Sequence, residues 1–441
     1  MRLIAGCFCG ASLWGCSQLD RLTGITDAPE PTSQPPQQLR DYRTFEDWCL
    51  NRESLGAEAK RTVEVLLRES TVQDCGLAEQ KLSGQMTLDL SSSQITDLTP
   101  LISLPQLTEL DLGDNQIRDL TQLAILTDLT DLNLEKNAIA DLTPLAELTN
   151  LNELILSKNE ISELTPLETL IRLQTLKLDG NAIADLSPLS ELWGLTELDL
   201  SDNQIGDLTP LEGLEELNQL NLSNNAIADL SPLSGIKTLN LLNLNTNQIE
   251  NLAPLSNLTG LEVLDLDGNA IADLSPLAAL ADLQNLSLSD NQIADLKPLE
   301  NLKNLDNLQL RSNQISELAP LAQLTNLSDD LNLIDNKITD LEPLAQLKTL
   351  RTLGLGKNEI EAIAPLSELN NLQILYLGDN QIEDVEPLAN LTQLQELNLW
   401  NNQIEKIEPL SNLENLTYLG LQENPIENKV CPVDPPSVCQ F

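Results

Sequence analysis

The sequence predicts an α/β solenoid, with a curved parallel β-sheet on its concave face, short 3₁₀ turns on its convex face and a small helical cap at its N-terminus. Three observations predict this fold class. A 22-residue unit recurs from about residue 86 to residue 426, leucines alternate with polar residues at the start of each unit, and proline returns at a fixed later place. Self-similarity at a short fixed period is the signature of stacked repeats.

Each unit opens with a short strand. In Leu198-Asp199-Leu200, two leucines flank a polar residue, which is the alternation of a half-buried strand. Strands repeated in this way stack as a parallel sheet with about 4.8 Å between neighbours. Sixteen copies of the unit, with one slip of a single residue between Asn313 and Asn336, therefore predict sixteen stacked coils.

An asparagine follows each strand. It stands at Asn115, Asn137, Asn159, Asn181, Asn203, Asn225, Asn247, Asn269, Asn291, Asn313, Asn336, Asn358, Asn380, Asn402 and Asn424, and Ser93 takes its place in the first coil. An amide side chain both donates and accepts hydrogen bonds, so it can satisfy backbone groups where the coil turns. We expect these residues to form a structural asparagine ladder, without a catalytic role.

The return side of each unit contains a proline, as at Pro210. Proline suits the first position of a helical turn, where its missing N–H would be unpaired anyway. We expect the preceding residue, such as Thr209 or Ser231, to cap that turn. Few residues remain before the next strand, so the turns are predicted to be short and of the 3₁₀ type.

The pattern L-x-x-L-x-L-x-x-N-x-I-x-x-L-x-P-L resembles the 22-residue leucine-rich repeats of bacterial internalins and of a phosphatase-regulatory class. The resemblance covers most of the chain. It implies the solenoid fold and a concave surface that binds a protein, but it does not specify the ligand. An exported binding protein and an intracellular regulatory subunit both remain open at this point.

The N-terminus predicts export. Arg2 and the short apolar stretch after it are typical of a signal peptide over residues 1–16. Leu13-Trp14-Gly15-Cys16 resembles the lipoprotein box of bacteria, although Trp14 departs from its usual small residue; the resemblance implies lipidation at Cys16 and a site in the cell envelope or at the cell surface. An ordinary cleaved signal and a frayed apolar end are the alternatives.

The remaining segments complete the predicted organisation. Residues 17–41 are rich in proline and polar residues and predict a disordered tether. Residues 42–85 show apolar residues at helical spacing and predict a helical N-terminal cap, while residues 427–441 predict a C-terminal cap. The sixteen repeats of residues 86–426 lie between these caps.

The cysteines support an oxidising compartment. Three of the seven precede residue 17, and the other four form two local pairs, Cys49 with Cys75 and Cys431 with Cys439, each within one predicted cap. Two disulfides are the favoured interpretation, and buried reduced thiols are the alternative. Neither pair has the C-x-x-C spacing of a zinc site.

The composition excludes several function classes. The chain of 441 residues carries 68 acidic and 24 basic residues, a formal net charge of −44, so nucleic acid is a poor partner. It contains no histidine, which excludes histidine acid–base chemistry and histidine metal ligands. No nucleophile motif or phosphate loop is present either, so we expect a monomeric binding protein that is not an enzyme, has no cofactor or metal, and meets the membrane only through its lipid.

The binding face is predicted on coils 13–16. Aromatic residues are only 2% of the chain, yet Tyr376, Trp400 and Tyr418 fall on or beside three consecutive strands, and Ile374 shares the strand of Tyr376. Tyrosine and tryptophan are favoured in the energetic centres of interfaces. Nearby glycines are expected to leave room for a ligand, although the alternative is that the aromatic residues shield the last coils beside the cap.

A second column is acidic. Asp or Glu stands four places after the asparagine position in twelve of the first fifteen coils, as at Asp185, Asp207 and Asp229. A solvated edge that helps the turn is the favoured interpretation. Weak calcium binding is the alternative, because hard cations prefer carboxylate oxygens.

Overall fold

The protein is described by a computed structural model over residues 42–441. The predicted signal peptide at 1–16, its Cys16 and the tether at 17–41 lie outside the described residues. Within 42–441, no helix has both the length and the apolar character that a membrane span needs.

The repeats form one parallel sheet. Neighbouring strands pair in sequence order, from β1 with β2 to β16 with β17. Each three-residue strand buries its middle residue and leaves its first and third residues at least partly exposed, except that Gly354 and Gly420 are buried. The strands are β1 Thr87–Asp89, β2 Glu109–Asp111, β3 Asp131–Asn133, β4 Glu153–Ile155, β5 Thr175–Lys177, β6 Glu197–Asp199, β7 Gln219–Asn221, β8 Leu241–Asn243, β9 Val263–Asp265, β10 Asn285–Ser287, β11 Asn307–Gln309, β12 Asp330–Asn332, β13 Thr352–Gly354, β14 Ile374–Tyr376, β15 Glu396–Asn398, β16 Tyr418–Gly420 and β17 Cys439–Gln440. The predicted parallel solenoid is confirmed.

The core is aliphatic and repeats from coil to coil. In the sixth coil, seven side chains are at most 1% exposed: Leu195, Leu198, Leu200, Ile205, Leu208, Leu211 and Leu214. Burying one such side chain stabilises the fold by about 1.5–3 kcal/mol. Identical layers of leucine and isoleucine therefore build this core, which explains why the chain needs so few aromatic residues.

Short 3₁₀ turns connect successive repeat strands, from Thr99–Ser103 to Glu408–Asn412. The expected cap of these turns was wrong in detail. Thr209 is the first residue of its turn, and its N–H and hydroxyl both donate to Asp207 Oδ1, at 2.9 and 2.6 Å. Asp207, two places earlier, is therefore the side-chain acceptor that caps the turn. Thr209 already lies inside the turn, so its hydroxyl points back toward Asp207.

The slip is absorbed immediately before β12. Leu308 of β11 pairs with Leu331 of β12, 23 residues later, whereas the other neighbouring pairs among β1–β16 are 22 apart. The N–H groups of Ser328 and Asp329 both reach Asp306 O at 3.3 Å. Normal register resumes between β12 and β13, so the extra residue is a local insertion that leaves the stack intact.

In the described part of the chain, three α-helices precede β1: α1 Phe45–Leu50, α2 Ala57–Glu69 and α3 Cys75–Leu82. Helix α2 contacts the first coil, where Arg61 Nε donates to Ser93 O at 2.9 Å and Thr62 Oγ1 donates to Asp97 O at 2.7 Å. Since an open stack exposes an apolar face, these contacts cover its first layer. Helix α2 begins only after Gly56, so Leu55 lies before it.

The other end is covered by an added strand. β17 pairs with β16, and Leu421 N donates to Gln440 O at 2.7 Å. The disulfide Cys431–Cys439 closes this segment, and Cys49–Cys75 joins α1 to α3. A strand within the C-terminal cap was not predicted, since Cys439 and Gln440 lack the repeat pattern.

Candidate functional site

The asparagine side chains hold the strand face in register. Asn203 Nδ2 donates to Leu200 O in its own coil at 3.1 Å and to Leu178 O in the preceding coil at 3.0 Å, while Asn203 Oδ1 accepts from Ile183 N at 2.9 Å. The same pair of contacts to the preceding coil occurs at the asparagines of all fifteen later coils, as at Asn115 and Asn424. These amides are therefore fully occupied by backbone groups and are not available to a ligand.

The acidic column is occupied in a similar way. Asp185, Asp207 and Asp229 each accept from the N–H and the hydroxyl of the residue two places later, at 2.6–2.9 Å. Those hydroxyl donors hold the pKa of each of these carboxyl groups below its ordinary value. The column thus belongs to the turns, and no group of three metal-ligating side chains forms within residues 42–441.

The four predicted binding residues lie on neighbouring strands. Ile374 and Tyr376 are the first and third residues of β14, Tyr418 is the first residue of β16, and Trp400 follows β15 by two residues. All four side chains are half-buried. The outward positions of adjacent strands are about 4.8 Å apart, so the four side chains form one patch, which we call the aromatic patch.

The glycines beside the aromatic patch were expected to leave room for a ligand, but they do not leave open space. A Cβ atom on Gly378 would lie 2.2 Å from the Cδ1 and Nε1 atoms of Trp400, and one on Gly420 would lie 2.9 Å from Tyr418 Oη. The aromatic side chains themselves therefore fill the volume above these glycines. Glycine is required here because the rings lie against the backbone.

A hydrogen bond links the aromatic patch to β15. Tyr376 Oη donates to Glu396 Oε2 at 3.1 Å. Burial, and then this bond to Glu396, raise the pKa of Tyr376. The phenol is accordingly protonated at neutral pH and can act as a fixed donor.

A family described as "Leucine Rich repeats (2 copies)" matches residues 87–125, 105–147, 171–213, 193–235, 259–301, 281–323, 348–390 and 392–430. Together these segments span more than half of the chain. The chain belongs to the leucine-rich repeat family.

Solved structures place it among the internalin-like leucine-rich repeat proteins. The internalin InlF of Listeria monocytogenes is 32% identical, with 76% of this chain and 93% of that chain covered and a TM-score of 0.62. A leucine-rich repeat protein of Leptospira interrogans is 31% identical over 79% of this chain and 93% of that chain, with a TM-score of 0.74.

The functional domain of InlJ from Listeria monocytogenes, which includes a cysteine ladder, is 25% identical over 86% of this chain and 80% of that chain, with a TM-score of 0.71. No curated protein sequence matches the chain. The fold is that of a protein-interaction module, and no enzyme family is indicated. Relatives and disulfides together suggest an extracytoplasmic protein.

The first leucine-rich repeats present a different surface from the aromatic patch. A shallow groove of about 310 Å³ lies over β1–β4. Its lining includes five carboxylates: Asp89, Glu109, Asp111, Asp131 and Glu153.

Farther along the face, burial raises the pKa of Asp267 to about 6, and the neighbouring Asp265 carboxylate adds to the rise.

A larger groove, of about 750 Å³, lies away from the strand face. It is lined by residues between the asparagine ladder and the 3₁₀ turns of the last repeats, among them Glu383, Gln403 and Glu405. It shares no residue with the aromatic patch. Its size alone therefore does not make it the binding site, and its lining contains no aromatic side chain.

Sequence reasoning missed three residues. Ile334 leans over Gly354, with its Cγ1 3.0 Å from where a Cβ would stand, and extends the apolar surface to coil 12. Glu396 accepts the hydrogen bond of Tyr376 within the aromatic patch. Trp193, the fourth aromatic residue of the repeats, is 60% exposed and lies outside the strands, between the turn Ser187–Leu189 and β6. A comparison of the same place in every repeat would have found Ile334, because polar residues or glycine usually stand there.

Proposed function

We propose that this chain is a non-catalytic protein-binding module, exported and tethered outside the membrane through Cys16, that binds a protein ligand on its concave face. The observation that carries the proposal is the aromatic patch. Three of the four aromatic residues of the repeats lie together on the strand side, each half-buried and available to a partner. The ligand-binding residues are Ile374, Tyr376, Trp400 and Tyr418.

Interfaces favour such a cluster for physical reasons. Tyrosine and tryptophan bring large apolar areas and a polar atom, and they lose little conformational freedom when a partner covers them. Here the backbone contacts at Gly378 and Gly420 already restrict Trp400 and Tyr418. A ligand therefore meets a surface that is largely preorganised.

Export is supported by chemistry at the two ends of the repeats. The disulfides Cys49–Cys75 and Cys431–Cys439 are typical of oxidising compartments. They weigh against the alternative of an intracellular regulatory subunit, which resembles the phosphatase-associated repeat proteins. An oxidised, tethered protein would meet ligands in the envelope or the extracellular space.

Intact mass of the protein from the membrane fraction tests tethering. We expect a lipid-modified Cys16 at the mature N-terminus and a gain of about 4 Da on reduction, two hydrogens for each disulfide. An unprocessed N-terminus with free thiols would contradict export and favour the regulatory subunit. Light scattering should give the mass of one chain, since a monomer is proposed.

Binding is tested by capture from extracellular and envelope protein fractions. Trp400→Ala should weaken the captured interaction by about 30-fold, the loss expected at an energetic centre of an interface. Trp193→Ala is the matched control, because it removes an exposed tryptophan away from the strand face. Equal binding by the wild type and Trp400→Ala would contradict the proposed site.

A further inference from the structure

A single carboxylate lies at the centre of the aromatic patch. Strand β15 places Glu396 between Ile374 of β14 and Tyr418 of β16, and both are its direct cross-strand partners. Tyr376, at the far end of β14, reaches the same carboxylate with its hydroxyl at 3.1 Å. An isoleucine and two tyrosines therefore frame one negative charge.

No basic side chain within residues 42–441 neutralises this charge. Among the described residues, no lysine or arginine approaches Glu396 within 4 Å, and the hydroxyl of Tyr376 is the sole side-chain donor to it. Glu197 holds the equivalent place in β6, and there Lys177 Nζ lies 2.9 Å from its carboxylate. The repeat can thus supply an internal partner for an acid at this place, and in β15 it does not.

The surroundings of Glu396 suit a cation. Half-buried side chains reduce the screening by water, so a carboxylate here attracts a positive charge more strongly than one on an open surface. The faces of tyrosine rings attract cations as well. The bond from Tyr376 to Oε2 fixes one carboxylate oxygen and leaves Oε1 for a second donor.

We propose that Glu396, together with Tyr376 and Tyr418, is the recognition site for one cationic side chain of the protein ligand, with arginine preferred over lysine. This inference rests on the proposed function, because it names the ligand chemistry of the same patch. Arginine is preferred because a planar guanidinium can pair with a carboxylate and also stack on an aromatic ring, whereas an ammonium is a compact point charge.

The three tyrosines of the chain permit a direct test. In protein labelled with 3-fluorotyrosine, ¹⁹F NMR should show one line each for Tyr42, Tyr376 and Tyr418. The probe is the peptide acetyl-Gly-Arg-Gly-amide. We expect saturable shifts of the Tyr376 and Tyr418 lines and a constant Tyr42 line, since Tyr42 packs on Trp48 beside the N-terminal helices.

The citrulline peptide of the same length keeps the shape of arginine and removes its charge. It should bind about tenfold more weakly if the ion pair is formed. Glu396→Gln, which keeps the volume of the side chain, should remove this difference. Glu109→Gln is the matched control, because it deletes the same charge from the same place in β2 and should leave the titration unchanged.

Three results would overturn the proposal. The first is equal affinity for the arginine and citrulline peptides. The second is an equal loss of affinity for the arginine peptide in Glu396→Gln and Glu109→Gln. The third is the absence of a saturable shift of the Tyr376 and Tyr418 lines. Equal losses would mean that only the net charge of −44 attracts the peptide. If the peptide test fails while Trp400→Ala still loses the captured ligand, the concave binding site stands and the cation site alone is wrong.

Discussion

Asn203 Oδ1 accepts the backbone N–H of Ile183, a residue of the preceding coil, at 2.9 Å. The amide nitrogen of Asn203 donates in turn to Leu178 O of that coil at 3.0 Å. One side chain therefore joins two coils through both of its polar atoms. The regular strand face that a ligand would meet depends on this repeated link.

Replacing one amide should destabilise the middle of the stack. Asn203→Ala leaves the N–H of Ile183 without its acceptor inside the protein, and we expect a loss of about 1–3 kcal/mol in the free energy of unfolding. Urea denaturation measures this loss. Gln204→Ala is the control, since Gln204 is exposed, and an equal midpoint for both variants would contradict the structural role of the ladder.

The disulfide of the N-terminal helices should stabilise that end locally. Cys49 and Cys75 are 26 residues apart, and closing a loop of that length is worth about 3.5 kcal/mol. The double variant Cys49→Ala/Cys75→Ala should therefore lose hydrogen-exchange protection in α1–α3.

The double variant Cys431→Ala/Cys439→Ala supplies the control for this measurement. It lies at the other end of the stack, and repeats contact only their neighbours, so α1–α3 should keep their protection in it. Equal protection of α1–α3 in the two double variants would contradict a local stabilising role of the Cys49–Cys75 disulfide.

Asp267 should make stability depend on pH. Its pKa is raised to about 6 in the folded protein, from 3.8 in the unfolded chain, chiefly by burial. The folded state therefore binds this proton more tightly, and the contribution of Asp267 to stability falls as the pH rises from 3.8 to about 6. Asp267→Asn should be more stable than the wild type at pH 7.5 and should approach it near pH 4.

Asp207 provides the control of opposite sign. Its pKa is lowered, mainly because Thr209 donates a hydroxyl hydrogen bond, so its contribution is present above the unfolded value and is lost as the pH falls. Asp207→Asn should lose stability at neutral pH rather than gain it. Urea midpoints at several pH values test both, and a pH-independent difference for Asp267→Asn would refute the assignment.

Gly378 should control the position of Trp400. A methyl group there would lie 2.2 Å from the indole, so Gly378→Ala must displace the ring, at a cost of about 1–2 kcal/mol. The ¹⁹F line of 5-fluorotryptophan at residue 400 should move, and the line of Trp193 should not. Gly235→Ala, where no atom lies within 4 Å, is the control; an unmoved Trp400 line would show that the indole does not rest on Gly378.

Much of this molecule could be read from the order of its residues. Leu198 and Leu200 alternate with polar residues, so the strand and its buried side were predictable. The fixed place of Pro210 in the repeat predicted the 3₁₀ turn. The prediction that Thr209 caps this turn was wrong, because Asp207 is the acceptor. That choice depends on where a hydroxyl points once the turn has formed, and spacing alone does not contain that information.

The candidate site was predictable only in part. The clustering of Tyr376, Trp400 and Tyr418 follows from the 22-residue period, because equal places in successive units become neighbours. The period did not show that Trp400 lies on Gly378, nor that Glu396 receives the hydroxyl of Tyr376. Rotamers set those contacts, and they depend on side chains from several coils at once.

The sequence by itself determined the repeat, its register and the layers of the core. A fixed period places equivalent residues at equivalent positions, so every coil packs on its neighbours in the same way. The tertiary structure decided which surface groups are still available. The amides of the asparagine ladder and the aspartates of the acidic column bond to backbone N–H, carbonyl and hydroxyl groups, whereas within residues 42–441 the one side-chain donor to Glu396 is the hydroxyl of Tyr376. Hydrogen-bond occupancy is a property of neighbours in space, so it could be assigned only after the coils were stacked.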